Sequence, residues 1–553
     1  MTKDKWKTIG TVFESICVRA VKVMVVAIMG FLCFWTARST FRFPADYNRE
    51  WILEYADSPV KNLLAALAVL LMFYFVFKLI LRGDEEQKSK RVLRLAVIDV
   101  VLVGIILNFW VTVSPIPPYW DQQQVFDAAL EFLRGDFGAM DTLYFKVNAH
   151  QYSLIFLESA LLKIWESYRI IQYVNVILIC LIIFMLYRIA DCIFHDQMVN
   201  LYCLMGITIF LPLHVYVTYV YGDICSIALS LVTVWGALRW NESSQDRYLV
   251  ISLISAIVAT LAREITMIPL IAIFITYLVV LVGRMKWKAL LWGLLLLLPL
   301  FSVEAVKRGY EIRSGKEIGD VAPMEVWIAM GMQGDWGGKG IYNGYVESVF
   351  GGTGADTELT RERTLEDIRG RMEQFHQDPE LMKEFYRYKI LEQWSEPSYS
   401  SLTLTGKKAA EADSAWTDLF YFSLVADYIC RFMNYYQFII YFFTLCYVLG
   451  ALRQREGIQN VILLIAVIGG FLFSILWEAK GRYVLPYVIF LIPYMARGMQ
   501  MVQKFVGEVL NRRLLRHIQI HKDKVTDAAT HDEQVEHFVR AEVLMFRVEQ
   551  GEL

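Results

Sequence analysis

An acidic, aromatic segment just beyond a long apolar run carries the residues best suited to chemistry. The apolar run ends at Val113, and residues 115–151 contain four aspartates among many aromatic side chains. Asp121, seven residues beyond Ser114, is the first of these carboxylates. A carboxylate just outside a membrane-spanning helix lies where a substrate dissolved in the bilayer meets one dissolved in water. This position favours group transfer at the membrane surface.

The residue types around later apolar segments suit the transfer of a sugar from a lipid carrier. Attack on an anomeric carbon needs a base that takes the proton of the incoming nucleophile, and Asp121 is the candidate. A phosphate leaving group needs no acid, but it needs cations that hold its charge. Arg263 in LAREITMIP, and Lys480 and Arg482 in EAKGRYVLPY, are candidates for that role.

Further polar residues complete the candidate site. They lie beside apolar runs and are His150 and Gln151 in NAHQ, Asp223 in YVYGDICSIAL and Tyr483 in EAKGRYVLPY. The carboxylates of Asp121 and Asp223 can together hold a divalent cation. Alternatively, the neighbouring basic residues supply the charge that a metal would bring. No other cofactor is implied.

Each charged candidate also has a purely structural interpretation. Asp121 can be a solvated interfacial carboxylate, and Asp223 can simply form the tight YGD turn. Arg263 can pair with Glu264, and Arg482 can bind lipid head groups without specificity. The order of these residues along the chain, more than any one of them, favours a functional site.

A glycine-rich segment, DWGGKGIYNGY, lies in the longest polar stretch. It lacks the GxxxxGK[ST] pattern of a phosphate-binding loop. Its aromatic residues Trp336, Tyr342 and Tyr345 can stack on a sugar, or they can pack within an ordered loop. Both interpretations stay open.

The composition indicates a membrane protein. Hydrophobic residues make up 56% of the chain and charged residues 20%, against about 45–50% and about 25% in soluble domains. The net charge of −2 predicts no nucleic acid partner, and the eight cysteines have neither metal-ligand spacing nor the pattern of a disulfide framework. A spanning helix needs about 20 mostly apolar residues. Twelve segments are candidates: 17–37, 62–81, 94–114, 170–188, 200–218, 222–240, 248–262, 266–283, 289–304, 430–450, 458–477 and 483–499.

The distribution of lysine and arginine predicts the orientation. Basic residues concentrate at the amino terminus, in RGDEEQKSKRVLR, in RMKWK, in RQRE and in the carboxy-terminal tail. With twelve spans, all of these lie on one side, which we take as cytoplasmic together with both termini. No cleavable signal peptide is evident. The expected location is a bacterial plasma membrane, with residues 115–169 and 305–429 outside.

The predicted fold class is an all-α polytopic membrane protein with about twelve transmembrane helices. Its expected parts are an amino-terminal hairpin and charged linker (1–91), a core (92–304) with a catalytic outer loop (115–169), a large outer loop (305–429), the last membrane helices (430–500) and a cytoplasmic tail (501–553).

Two stretches of the first outer loop are expected to form helices at the membrane surface. VFDAALEFLRG has apolar residues at helical spacing, which predicts an amphipathic helix lying on the bilayer. Residues 152–165 are apolar but short, and predict a second surface-lying or re-entrant helix. In the second outer loop, residues 359–394 predict a helix that is broken at Asp378–Pro379.

The order of these parts resembles the GT-C superfamily of glycosyltransferases, in the branch of the protein O-mannosyltransferases and the lipid A aminoarabinose transferase. The resemblance covers mainly residues 94–304 and, more weakly, residues 470–499. It implies a GT-C-like core with amphipathic surface helices in the first large outer loop. The Lys-Pro or Tyr-Pro step common before the second core span is replaced here by AHQ.

The family's functional positions match individual residues of this chain. The acidic residue near the start of the first large outer loop is here Asp121, and the cluster before the next span is here His150 and Gln151. A second acidic position follows the third core helix, here Asp223. Arg482, followed by Tyr483, resembles a late basic–aromatic turn on the outer face. The resemblance implies substrate binding for these residues, except Asp121, which it makes the catalytic base.

The resemblance implies an integral membrane glycosyltransferase of the hexosyltransferase type. Its donor would be a polyprenyl-phosphate-linked sugar, and its acceptor a cell-envelope glycan, lipid or protein on the outer face. Two alternatives stay open. A lipid-linked glycan polymerase or ligase would rely on arginine pairs in outer loops. A secondary transporter would show paired halves with helices broken at matching positions.

Overall fold

The chain is helical almost throughout. The computed structural model describes four stretches, residues 3–44, 52–284, 287–334 and 338–528. One antiparallel hairpin of β1 (Ser39–Arg42) and β2 (Leu53–Ala56) interrupts the helices of these stretches. Trp336 of the glycine-rich segment lies outside them. The predicted all-α class is confirmed.

Twelve helices lie in the described part of the chain before Trp287. They are α1 (Lys3–Thr36), α2 (Pro59–Ile80), α3 (Glu85–Val113), α4 (Asp121–Arg134), α5 (Leu143–Val147), α6 (Tyr152–Leu162), α7 (Arg169–Phe194), α8 (Gln197–Thr208), α9 (Leu211–Val215), α10 (Asp223–Ser243), α11 (Arg247–Ala262) and α12 (Met267–Arg284). Helices α4 to α6 form the loop between the long helices α3 and α7, where the sequence predicts surface helices.

Eleven helices follow in the rest of the described chain. They are α13 (Trp287–Leu295), α14 (Pro299–Ser314), α15 (Glu325–Gly331), α16 (Tyr345–Gly352), α17 (Thr357–Gln377), α18 (Pro379–Trp394), α19 (Ser401–Gly406), α20 (Ala415–Tyr421), α21 (Leu424–Ala451), α22 (Ile462–Leu476) and α23 (Gly481–Ala528). The expected boundary at residue 304 falls inside α14. The predicted break at Asp378–Pro379 separates α17 from α18, with the Asp378 side chain capping α18.

Nine helical segments among the described residues are long and apolar enough to cross a membrane, and the seventh of them runs through both α13 and α14. They are Thr8–Thr36, Pro59–Ile80, Glu85–Val113, Arg169–Phe194, Asp223–Ser243, Glu264–Val282, Leu290–Ser314, Leu424–Ala451 and Ile458–Leu476. The chain is therefore a multi-pass membrane protein by the length and composition of its helices.

The other three predicted spans also coincide with helices, but each is irregular. Residues 200–218 form α8 and α9, which bend by 48° and make a tenth candidate if they cross together. Helix α11 has only 16 residues, and residues 483–499 begin α23, which contains Pro486 and Pro493. The count of twelve stays a prediction.

Local sequence explains how the chain turns from α3 into the loop that follows. The Asp84 side chain accepts a hydrogen bond from the Gln87 amide and caps the start of α3. Pro115 follows the last residues of the helix and prevents its continuation. Helix α4 then buries Val125 and Phe126 and ends at Gly135, whose φ of 78° suits a left-handed cap.

The second large loop packs on the first. Val147 joins a buried apolar cluster with Val326, Met330, Val346 and Phe350. The Ala322 amide donates to the Lys146 carbonyl at 3.1 Å. These contacts attach the region around α15 and α16 to the loop that carries Asp121.

Residues 1–499 form one compact unit, which contains every candidate site residue. A second unit begins at Gln500, and the structure describes its helical part up to Ala528.

The expected sidedness can be tested by thiol labelling. In a background without the native cysteines, single cysteines replace Asp136, Glu373, Ser89 or Gln454, all of which are exposed. A membrane-impermeant maleimide added to intact cells should label the first two positions and spare the last two, because the positive-inside rule assigns the latter to the cytoplasm. Labelling of all four after permeabilisation is the control. External labelling at Ser89 would contradict the orientation.

Candidate functional site

Arg482, the second residue of α23, lies at the centre of the candidate site. It is buried, with 5% of its surface exposed. Its Nη1 donates to the Tyr219 hydroxyl at 2.6 Å, and its Nη2 donates to the Tyr483 hydroxyl at 3.3 Å. The same Nη2 lies 3.8 Å from Oδ2 of Asp121. A residue near the end of the compact unit thus contacts the acidic loop that follows α3.

Asp121 is the accessible member of this pair. Its side chain remains 40% exposed, although Tyr144 donates a hydrogen bond to its Oδ1 at 3.2 Å. Burial, followed by the nearby Tyr221 and Asp121, raises the pKa of Tyr144 well above its ordinary value. Tyr144 therefore stays protonated and donates. Asp121 is oriented from one side and open to an incoming molecule from another.

A tight turn places Asp121 at the start of α4. The Gln122 amide donates to the Tyr119 carbonyl at 3.1 Å. The buried Gln122 side chain in turn accepts from the Val220 amide at 2.9 Å. The first residues of α4 are thereby fixed to the segment that precedes α10.

Asp223 and Arg263 form a second, buried ion pair in the same place. Arg263 Nε lies 3.9 Å from Asp223 Oδ1, with about a tenth of each side chain exposed. Asp223 begins α10, and Arg263 directly follows α11. The alternative interpretation, in which Arg263 pairs only with Glu264, is wrong, because the chain leaves α11 with its arginine facing the start of α10.

The two arginines share aromatic neighbours. The Tyr221 ring centroid is 5.1 Å from Cζ of Arg263 and 5.3 Å from Cζ of Arg482. The Tyr483 ring lies 5.8 Å and 5.1 Å from the same two atoms. Cations over aromatic faces are stabilised by the ring quadrupole. The tyrosines thus hold two like charges close together.

Two polar atoms of this cluster have no hydrogen-bond partner in the described structure. They are Nε of Arg482 and Oδ2 of Asp223, both buried. Buried polar groups normally have partners, so these two atoms are candidates for contacts with a ligand. One is a donor and the other an acceptor, which fits a ligand that carries both.

His150 and Gln151 approach the cluster from the first loop. The Gln151 Nε2 donates to the Tyr221 hydroxyl at 2.5 Å and lies 2.9 Å from the His150 Nε2. Burial, followed by the charges of Arg263 and Lys307, lowers the pKa of His150 to about 3. His150 is therefore neutral at physiological pH and accepts from Gln151.

Lys480 reaches the site through Glu478. The Tyr483 hydroxyl donates to Glu478 Oε2 at 3.0 Å, and Lys480 Nζ lies 4.0 Å from Glu478 Oε1. Glu478 is buried. The short segment that leads into α23, together with the start of that helix, thus carries Glu478, Lys480, Arg482 and Tyr483.

Contacts link all eight residues singled out from the sequence into one network. They are Asp121, His150, Gln151, Asp223, Arg263, Lys480, Arg482 and Tyr483. Sequence reasoning missed the side chains that join them, namely Tyr144, Tyr219, Tyr221 and Glu478. The tyrosines that precede Asp223 in YVTYVYGD were the sequence feature that could have indicated this aromatic cluster. The functional roles of all these residues stay predictions.

A shared metal ion finds little support in this arrangement. Asp121 faces Arg482, and Asp223 faces Arg263, so each carboxylate already has a cation beside it. In the described part of the chain, no three or more His, Cys, Asp or Glu side chains lie close enough to hold a metal ion.

Comparison with known proteins does not identify the function of this site. The chain matched no protein-family model, no curated protein and no solved structure.

Stability should depend on pH through His150. Its pKa is lowered in the folded state, so between about pH 6.5 and about 3 the unfolded chain binds a proton that the folded chain does not. Stability should therefore fall as the pH drops below about 6.5, and His150→Gln should flatten this part of the profile. Unfolding midpoints from pH 7 to pH 4 measure this, with His376→Gln on the exposed helix α17 as the control. An unchanged slope in His150→Gln would contradict it.

Close packing at Gly222 holds Asp223 beside Arg263. A Cβ atom at residue 222 would overlap the Ala262 carbonyl oxygen. Gly222→Ala should therefore push the start of α10 away from the end of α11, at a cost of about 1–3 kcal/mol. Gly370→Ala in α17, where a Cβ meets nothing within 4 Å, is the matched control and should be neutral or stabilising. Equal unfolding midpoints for the two variants would contradict this packing.

Proposed function

We propose that this protein is a membrane glycosyltransferase, which moves a sugar from a polyprenyl-phosphate donor to a cell-envelope glycan, lipid or protein. One observation carries the proposal. The buried cation of Arg482 lies 3.8 Å from the accessible carboxylate of Asp121, near the end of the apolar helix α3. A carboxylate that could act as the base and a cation that could hold the phosphate are thus adjacent, which supports the proposal.

The transfer step uses these two groups in opposite roles. The acceptor hydroxyl oxygen attacks the anomeric carbon and forms the new glycosidic bond, while its proton passes to Asp121. The bond between the anomeric carbon and the phosphate oxygen breaks, and its electron pair leaves with the polyprenyl phosphate. Arg482 and Arg263 stabilise the charge that develops on this oxygen, with Lys480 nearby.

The unpaired polar atoms support this assignment. The free Nε of Arg482 is a charged donor suited to a phosphate oxygen. The free Oδ2 of Asp223 is an acceptor suited to a sugar hydroxyl. Neutral His150 and Gln151 add further hydrogen-bonding groups beside Tyr221 without adding charge.

The same proposal covers family and location. The order of the parts around Asp121 resembles that of the GT-C superfamily, and the short helices α4 and α6 in the loop after α3 are compatible with the surface helices of its first outer loop. The proposed location is the plasma membrane of a bacterium, with both termini in the cytoplasm and the site on the outer face.

A lipid-linked glycan polymerase or ligase is the second candidate, because Arg263 and Arg482 form a close pair over Tyr221. The two functions differ in their products. A single-sugar transferase adds one residue to each acceptor, whereas a polymerase makes a ladder of lengths. A transporter is less well supported, since the described residues contain one bent helix pair instead of two at matching positions.

A transfer assay in proteoliposomes tests the proposal. The purified chain receives a radiolabelled hexose on a synthetic polyprenyl phosphate, with an envelope extract as acceptor. The expected result is movement of label from lipid to acceptor, with release of one polyprenyl phosphate per sugar. Label that stays on the lipid across a panel of hexoses, together with counterflow of a solute, would overturn the proposal in favour of transport.

A further inference from the structure

A buried lysine in the second large loop lies apart from the residues considered so far. Lys389, in α18, is fully buried, and its Nζ donates to the Gly331 carbonyl at the end of α15. Burial lowers the pKa of Lys389 to about 7, although the charges of Glu478 and Glu392 act in the opposite direction. Lysine is rarely buried completely, because its charge is costly to remove from water. A lysine held in this way is a candidate for a functional role.

The stem of this lysine packs against a backbone that only glycine permits. A Cβ atom at residue 340 would lie 2.6 Å from the Gly331 carbonyl oxygen and 2.9 Å from Cε of Lys389. Gly340 also has a φ of 73°, in the left-handed region. Glu392, about one turn further along α18, accepts from the Lys339 amide at 2.8 Å. Lys389 and Glu392 thus fix this part of the glycine-rich segment to α18.

The same glycines hold the chain that leads into α23. The Ala479 amide donates to the Gly340 carbonyl at 2.7 Å. A Cβ atom at residue 331 would lie 2.7 Å from the Trp477 carbonyl oxygen, so the end of α15 packs directly on this chain. Residues 477–480 lie between α22 and α23 and are not helical. Their position therefore depends on the residues that pack against them.

Two side chains connect this segment to the buried arginine of the candidate site. Glu478 accepts from the Tyr483 hydroxyl at 3.0 Å. That hydroxyl in turn accepts from Nη2 of Arg482 at 3.3 Å. The position of the guanidinium thus depends on the segment that Gly340 and Lys389 hold in place.

We propose that Lys389 is a positioning residue for Arg482 in the phosphate-binding site. Its stem packs beside Gly340 and its Nζ binds Gly331, the two glycines that contact the segment before α23. Lys389 touches no substrate and acts only through this packing. The inference rests on the proposed transferase function and gives the second large loop a role in binding the donor.

Simple charge balance is the competing explanation, because a buried lysine can serve only to offset buried carboxylates such as Glu392 and Glu478. Charge balance alone does not require the lysine to contact the backbone at Gly331 and Gly340. Those contacts lead to a non-helical segment that ends at the start of α23. We therefore expect the loss of Lys389 to change donor affinity and not only stability.

Binding of a synthetic polyprenyl phosphate in phosphatidylcholine nanodiscs tests the proposal. Lys389→Met keeps a stem of similar length but removes the ammonium group, and it should raise the Kd about 2- to 30-fold. Lys383→Met is the matched control, since Lys383 lies on the same helix, is exposed and pairs with Glu380. It should leave the Kd unchanged. A native Kd in Lys389→Met would overturn the proposal.

Two glycine variants test the same contact without altering the lysine. Gly340→Ala and Gly344→Ala both place a Cβ atom at a positive φ, of 73° and 77°, so their backbone strain is matched. A Cβ atom at residue 344 meets nothing within 4 Å, whereas one at residue 340 crowds Lys389 and Gly331. Gly340→Ala should therefore raise the Kd for polyprenyl phosphate, and Gly344→Ala should not. Equal Kd values for the two variants would contradict the proposed path.

Hydrogen exchange separates positioning from stability. In Lys389→Met the backbone amides of residues 477–483 should exchange faster than in the native chain, because the Ala479 amide loses a firmly held partner. The unfolding midpoint should stay close to the native one, since methionine is readily accommodated in an apolar interior. A lower midpoint with unchanged exchange and unchanged Kd would assign Lys389 a structural role and overturn the inference.

The same measurements distinguish this inference from the proposed function. If the native chain binds no polyprenyl phosphate, the proposed donor is wrong. Faster exchange of residues 477–483 in Lys389→Met would then still support control of the Arg482 segment by Lys389. If the native chain binds and transfers the donor while Lys389→Met shows native exchange and native Kd, the transferase stands and the positioning role fails.

Discussion

Asp121→Asn is expected to lower the rate of sugar transfer by about 10²–10⁴. The asparagine oxygen can still accept from Tyr144, and the side chain keeps its size, so the turn and α4 should form as before. The amide cannot take the proton of the acceptor hydroxyl, because it is not basic. The loss should appear in kcat, with donor binding and the unfolding midpoint near those of the native chain.

Asp127→Asn is the matched control for this substitution. Asp127 lies on the same helix, is exposed and accepts a hydrogen bond from Gln123 at 2.7 Å. It should keep full activity. Transfer by Asp121→Asn at the native rate would remove this carboxylate from the mechanism and would leave the arginine cluster as a binding site alone.

Arg482→Gln is expected to weaken donor binding by about 2–5 kcal/mol, which is about 30-fold or more. The guanidinium is buried among Tyr219, Tyr483 and Asp121, so no water replaces it easily as a partner of the phosphate. Arg482→Lys should restore part of the affinity, because the ammonium keeps the charge but lacks the planar fork of donors. Titration with a non-transferable polyprenyl phosphate measures the effect.

Arg497→Gln is the control for damage to the helix itself. Arg497 lies four turns further along α23 and pairs with Asp196 at 3.5 Å, away from the site. It should bind the donor normally. If Arg482→Gln weakens donor and acceptor binding equally, or lowers the unfolding midpoint without changing either affinity, the side chain has a structural role.

The positions of the helices were largely readable from the sequence, because apolar runs of the required length have few alternatives in a membrane protein. Every one of the twelve predicted segments coincides with helix, and the break before Pro379 lies where the missing amide and the fixed ring geometry require it. The irregular segments were less predictable. The bend of 48° between α8 and α9 lies just before Pro212, and composition alone does not give its angle.

The chemical candidates were likewise identifiable one at a time. A carboxylate or an arginine at the end of an apolar run is costly to bury and therefore conspicuous in the sequence. Asp121, Asp223, Arg263 and Arg482 were all found in this way. What the sequence could not show is which of them pair, since the contacts join residues hundreds of positions apart, as between Asp121 and Arg482.

Only the tertiary structure decided the arrangement of the site. Arg263 turns to Asp223 instead of its neighbour Glu264, because the end of α11 packs against Gly222 with no room for a side chain. The tyrosines that hold the two arginines have no distinguishing sequence context, since tyrosine also serves as a common interfacial residue. Trp120, the residue before α4, has a positive φ of 48°, which depends on the closure of the turn at the start of that helix. The sequence by itself thus determined a helical membrane protein with conspicuous charges at its helix ends, whereas packing decided which charges meet.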